Sequence, residues 1–172
     1  MQALEIIEVM AGYDPNNNPI VERLQVEVNH NGITDDTSTG NSKPTYKLVR
    51  SPAFIKGIAS GDLITFDNET KEFEIQKRSG NLSLRIFSRG DTQSLSEHLT
   101  PQLEKLGGQQ DLETERMLVY SIHVSCGFNS IEEILNQHIG EKTQSMWQYG
   151  NVYDPTDGET PLNWWIDILK PQ

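Results

Sequence analysis

Apolar residues alternate with glutamates through residues 3–10 and 20–28, where Ile, Leu and Val recur at every second position. A period of two marks a strand with one buried face, so two strands are predicted. Asp14-Pro15-Asn16-Asn17-Asn18-Pro19 between them is turn chemistry, because Pro fixes φ and Asn tolerates left-handed backbone. A hairpin follows. From Asn29 to Pro44 apolar residues give way to Asn, Asp, Thr, Ser and Gly, which predicts a long mobile loop serving as a surface connection. Strands resume at 45–50, 62–67, 70–78 and 81–88, parted by Gly61-Asp62, Asn68-Glu69 and Ser79-Gly80-Asn81. Short strands with regular turns predict a small β-barrel or a curled antiparallel sheet over residues 1–78.

After residue 80 the period changes. Leu95, Leu99, Leu103 and Leu106 fall on one helical stripe that stops at Gly107-Gly108, and Ser94-Leu95-Ser96-Glu97 reads as a capping box. Pro101 predicts a kink, or a helix that begins there. Residues 117–124 read as a strong strand, and Asn129-Ser130-Ile131-Glu132 as the cap of a second helix with Ile131, Ile134, Leu135 and Ile139 inward. Residues 147–153 alternate as a strand. With residues 109–113 as a short strand, the order from Leu82 is β-α-β-β-α-β. The fold class is therefore α+β, with residues 1–78 as a first domain and 79–172 as a second, ferredoxin-like one.

Charge is unevenly spread over the 172 residues. The chain carries 14 Lys and Arg against 25 Asp and Glu, a net charge of -11. Residues 1–90 hold 10 basic and 12 acidic side chains, net -2, and residues 91–172 hold 4 and 13, net -9. Such a balance argues against a nucleic-acid backbone as partner. It fits either a well-solvated surface or a negative face that steers a basic protein. No run of eighteen apolar residues occurs, so no membrane span is expected, and Met1 to Glu8 lacks the basic start of a signal peptide. One cysteine, Cys126, fits a reducing compartment, and the expected location is the cytoplasm.

No cofactor or metal is expected. Neither a phosphate-binding G-x-x-x-x-G-K-[ST] nor a G-x-G-x-x-G motif is present, and His30, His98, His123 and His138 are scattered. Three constellations remain. Strand alternation puts Leu82, Leu84, Ile86, Leu118, Tyr120, Ile122 and Val124 toward the helices, leaving Ser83, Arg85, Phe87, Ser121 and His123 on the other face. Arg85, Ser121 and His123 would clamp a small anion there, or would form the packing seam with the first domain. The aromatic C-terminal stretch supplies Trp147, Tyr149, Tyr153, Trp164 and Trp165 beside Asp154 and Asp157. These are candidate contacts for a protein partner with a basic surface, or a lid anchored by tryptophan. Cys126 with His123 three residues upstream would make a nucleophile pair; a small buried thiol is the plainer alternative.

The ordered motifs Gly61-Asp62, Ser79-Gly80-Asn81, Leu106-Gly107-Gly108, Cys126-Gly127-Phe128, Tyr149-Gly150-Asn151-Val152-Tyr153-Asp154 and Pro161-Leu162-Asn163-Trp164-Trp165 resemble the bacterial family catalogued as domain of unknown function 4265, over residues 45–165. That resemblance implies a bacterial, cytoplasmic protein and assigns no catalytic residue. The leading expectation is a non-catalytic protein-binding protein, an immunity-type antagonist of a bacterial toxin. A small-ligand sensor built on Arg85, Ser121 and His123 is the alternative, and a cysteine-dependent enzyme the third.

Overall fold

The structure, a computed structural model, describes residues 3–29 and 44–170. Apart from its two end residues, the loop expected between Asn29 and Pro44 lies outside the described residues. The chain is a mixed α+β fold with a five-stranded and a four-stranded antiparallel sheet and three helices. Among the described residues no helix is long and apolar enough to cross a membrane.

Strands β1 (Ala3–Tyr13) and β2 (Pro19–Asn29) form the expected hairpin, from Ala3 opposite Val28 to Tyr13 opposite Pro19. Asp14 builds its turn, accepting the amides of Asn16 and Asn18 at 2.9 and 2.8 Å, with Asn17 at φ 65°. β3 (Thr45–Leu48), β4 (Leu63–Asp67) and β5 (Glu72–Lys77) complete the sheet in chain order. Alternation buries Ile7, Val9, Leu24, Val26, Val28, Leu48 and Ile64 in one cluster with Ile55 and Ile58.

The sheet does not close into a barrel. Its outer strands meet through one described hydrogen bond, Met10 N to Lys71 O at 2.9 Å. Strand lengths give the reason: β1 and β2 have 11 residues each, whereas β3 has four and pairs with β4 only at Tyr46 and Lys47. Between β3 and β4 the chain leaves the sheet and passes toward the second core.

The second sheet follows as β6 (Asn81–Ser88), α1 (Thr92–Lys105), β7 (Gln109–Glu113), β8 (Met117–His123), α2 (Phe128–His138) and β9 (Ser145–Tyr149). Its strands lie in the order β7-β8-β6-β9, each antiparallel to its neighbour. Both helices cover one face. Leu95, Leu99 and Leu103 of α1 and Ile131 and Leu135 of α2 pack on Leu82, Leu84, Ile86, Leu118, Tyr120, Ile122 and Val124, the set that alternation assigns to the helices. A four-residue helix, α3 (Ile166–Leu169), ends the described chain.

Several strand ends shift by one to four residues from the sequence reading, and the helix starts depart from it for local reasons. Helix α1 is capped by Asp91, three residues before Ser94, and the Asp91 carboxylate accepts the Ser94 amide at 3.1 Å. It runs through Pro101, where Pro101 and Glu97 are both exposed, so the carbonyl that loses its helical partner faces solvent rather than the core. Helix α2 starts after Gly127, with no side-chain cap. β9 ends at Tyr149, since Gly150 turns the chain: its amide bonds to Ser83 O at 2.8 Å and its carbonyl accepts the Gly57 amide at 2.9 Å. The Gly107-Gly108 stop behaves as expected, with Gly107 at φ 90° and Gly108 N bonded to Leu103 O at 2.8 Å. Replacing Asp91 by Ala should cost about 1 kcal/mol in urea unfolding, while Ser94→Ala should stay within about 0.3 kcal/mol of wild type.

Candidate functional site

The face of the second sheet that turns away from the helices is polar and covered. Arg85, on β6, is 1% exposed. Its Nη1 donates to Phe54 O at 3.2 Å and its Nη2 to Ile55 O. The opposite side of the same stretch faces Glu22, which points inward from β2 opposite Val9. Glu22 accepts the amides of Ala53, Phe54 and Ile55 at 2.6, 2.9 and 2.8 Å. Segment 53–55 is thus held between a carboxylate on its N–H side and a guanidinium on its C=O side. The Phe54 ring, 63% exposed, is turned outward. Burial draws the Arg85 pKa down to about 10 against the pull of Glu22, so the side chain remains a cation at neutral pH.

Beside it runs a second polar chain. The Asp111 carboxylate, from β7, accepts the Ser51 amide at 2.9 Å, the Ser121 hydroxyl, and Gln109 Nε2 at 3.1 Å. Ser51 Oγ meets Ser121 Oγ at 2.6 Å and accepts the Ser60 amide at 3.0 Å. Asp62, almost fully buried, accepts the amides of Ala59 and Ser79 at 2.9 and 2.8 Å. Among the described residues two buried polar atoms of the seam, Ser83 Oγ and Arg85 Nε, have no hydrogen-bond partner, nor has Tyr149 OH on the helix-covered face. Both seam atoms close on Gly150, where a Cβ would lie 2.6 Å from Ser83 Oγ and 2.8 Å from Arg85 Nε.

The structure therefore brings Arg85 and Ser121 into one seam, with Arg85 Nη1 and Nη2 held by the first half of the chain and the Ser121 hydroxyl shared between Asp111 and Ser51. His123 stands apart at the end of β8, where its Nδ1 accepts the Ser125 amide at 3.2 Å and pairs with Ser125 Oγ at 2.8 Å. Cys126 directs its thiol to Gly127 O at 3.8 Å, and burial pushes its pKa up, away from the reactive thiolate. Among the described residues no hydrogen bond links it to His123, and no group of three metal-ligating side chains occurs.

The C-terminal aromatics form a chain of edge-to-face contacts. Trp147 meets Tyr149 at 5.0 Å, Tyr149 meets Phe128 at 5.6 Å, Phe128 meets Trp165 at 5.3 Å and Trp165 meets Trp164 at 5.5 Å. All four C-terminal rings are half-buried against the second core. Both recorded indole donors are used within the fold, Trp147 Nε1 on Asn136 Oδ1 and Trp164 Nε1 on Asn151 O, each at 2.9 Å. Trp164 also lies 5.5 Å from the Arg78 guanidinium. Asn151 bonds the main chain of β6 twice, accepting Ser83 N and donating to Asn81 O at 2.9 Å each. Past these anchors, Tyr153 is exposed. Asp154 and Asp157 shape turns, accepting the amides of Thr156 and of Glu159 and Thr160. Bonds from the Thr160 hydroxyl, then from the Thr160 and Glu159 amides, lower the Asp157 pKa to about 2.

A family model described as a domain of unknown function (DUF4265) matches residues 38–148. The chain belongs to that family. The span matched to DUF4265 includes Ser51, Asp62, Arg85, Asp111 and Ser121, and stops short of both Glu22 and Gly150. No match is found among curated proteins. Among solved structures, a hypothetical protein from Neisseria gonorrhoeae aligns with a TM-score of 0.60 at 18% identity, covering 87% of this chain and 94% of its own. That likeness shows the fold alone.

Sequence reading missed Glu22, Ser51, Asp62 and Asp111 as partners in this seam. A carboxylate at an inward strand position opposite Val9 was the available signal for Glu22. Glu22→Ala strands three amides and removes the counter-charge of Arg85, and should lower stability by about 3 kcal/mol in urea unfolding; Glu22→Gln should lose about half as much. Burial raises the Asp111 pKa above its ordinary value. The folded state therefore keeps the Asp111 proton to higher pH than the unfolded chain, and this contribution is present at low pH and lost as pH rises through the folded pKa. An Asp111→Asn variant cannot gain it, so its stability deficit relative to wild type should widen as pH falls from neutral to below about 4. Paired urea titrations at the two pH values measure this.

Proposed function

We propose that this chain is a non-catalytic protein-binding protein of the bacterial cytoplasm, an immunity-type antagonist that neutralises a basic toxin domain by covering it. The observation that carries the reading is the C-terminal segment. It is pinned by Trp164, Trp165 and Asn151, yet Tyr153, Ile166, Ile168 and Leu169 remain between 40% and 49% exposed. Large apolar side chains on a well-anchored frame cost little ordering entropy when a partner covers them. Asp154, Asp157 and Glu159 flank them, and the one recorded ion pair in the segment is Lys170 with Asp167 at 2.9 Å. A net charge of -9 on residues 91–172 supplies the field that steers a basic partner. Candidate contacts are Tyr153, Asp154 and Asp157, the open faces of Trp147, Tyr149, Trp164 and Trp165, and the three α3 residues.

The two sheets, each with its own cluster of buried side chains, support a division into residues 1–78 and 79–172. The element order from β6 and the strand order β7-β8-β6-β9 support a ferredoxin-like arrangement of the second unit. A small-ligand role for Arg85 and Ser121 is less favoured, since Arg85 Nη1 and Nη2 and the Ser121 hydroxyl already serve the seam and the Arg85 side chain is buried.

The immobilised full chain should recover a basic protein from extracts of its own cells at low salt and lose most of it in about 0.5 M salt. Tyr153→Ala and Ile168→Asp should each weaken that complex about tenfold in a titration with the purified partner. The partner's toxic activity should fall in proportion to complex formed. Undiminished activity in a saturated complex, or binding insensitive to both substitutions, would refute the proposal.

A further inference from the structure

Strand β1 is the outer strand of the five-stranded sheet and pairs with β2 along one side only. Successive residues of a strand direct their backbone groups to alternate sides. Met10 donates outward to Lys71 O, so Leu4, Ile6 and Glu8 also turn their backbone groups to the outer side. No described neighbour takes them. Leu4 and Ile6 are also 57% and 58% exposed. Edge strands are ordinarily guarded by Lys, Pro, bulges or a covering element. Here the bulge between Met10 and Gly12 and the Lys71 contact close only the far end. Leu4 to Val9 contains no Lys, Arg or Pro.

We propose that two copies of this chain associate through β1, pairing antiparallel about a two-fold axis at Ile6. This surface is separate from the C-terminal segment discussed above. The axis position follows from charge and from the free backbone groups. With the axis at Ile6, Leu4 lies opposite Glu8 of the second copy and Glu5 opposite its Ile7, so no carboxylate faces another. Every outward backbone group from Leu4 to Glu8 then finds a partner. An axis at Glu5 would set two carboxylates face to face, which is destabilising. An axis at Ile7 would oppose Leu4 to Met10, whose amide is already bonded to Lys71. Arg23 sits across β2 from Glu8 and offsets its charge. The contact also joins the nearly neutral halves of two acidic chains, net -2 over residues 1–90 against -9 over the remainder. An isologous contact of this kind closes at two copies and leaves no further edge at β1.

Sedimentation and light scattering of the full chain at micromolar concentration should give twice the chain mass. Ile6→Lys sets two cations opposite each other and should weaken the dimer at least about tenfold. Leu4→Lys sets a cation opposite Glu8 of the second copy and should keep or tighten it. Both side chains are exposed, so both variants should melt with the wild type at concentrations too dilute for the dimer. Without any substitution, the Ile6 amide should exchange more slowly in concentrated than in dilute solution. A wild type that stays monomeric at every concentration, a dimer indifferent to Ile6→Lys, or equal loss from both variants would each overturn the proposal.

Discussion

Segment 53–55 crosses between the two cores with its amides on Glu22 and its carbonyls on Arg85. Backbone groups that leave a sheet and enter a buried region must be satisfied, and a charge taken out of water must meet an opposite charge or strong dipoles. One arrangement answers both demands. The loop supplies the dipoles that a buried guanidinium needs, and the two side chains supply the partners that the loop lost on leaving β3. Apolar surfaces would slide past one another more readily than this set of directional bonds, which tie β2, the loop and β6 together.

The neighbouring bonds of Ser51, Ser121 and Asp111 act in the same sense, tying the chain just after β3 to β7 and β8. Their arrangement carries a cost. Ser83 Oγ and Arg85 Nε stay without described partners where Gly150 presses on β6, and burial holds the Asp62 and Asp111 pKa values above their ordinary level. A joint this polar gives up stability for a defined geometry, a trade also seen where buried polar groups specify register. It benefits the C-terminal segment directly, because Gly57 and Arg78 of the first half hold Gly150 and Trp164 in place. The frame that presents Tyr153 and α3 is therefore built from both halves.

Much of the fold was legible because it depends on periods of two and of about 3.6 residues. Alternation separated Leu82, Leu84 and Ile86 from Ser83 and Arg85 correctly, and the leucine stripe located α1. Where the reading slipped, competing local chemistry decided. Asp91 and Ser94 are both good caps, and only the observed bond from the Ser94 amide shows which one serves. A barrel and an open sheet share the same short strands; the mismatch between an 11-residue β2 and a four-residue β3 distinguishes them. The candidate site was half legible, with Arg85 and Ser121 on one sheet face. Their partners Glu22 and Asp111 come from 63 residues upstream and 10 residues upstream respectively, and spacing along the chain carries no trace of the first.

By itself the sequence determined the kinds of element, the faces they bury, the turn at Asp14, the stop at Gly107 and the placement of charge. These depend on near neighbours and on the cost of burying one face rather than another. Only the tertiary structure decided that the aromatic residues would be half-buried anchors, that Tyr153 and α3 would remain outside, and that β1 would be an outer strand of its sheet. Those outcomes depend on which distant surfaces meet. Here that was settled by one buried cation and the carboxylate that reaches it through the backbone of the loop between them.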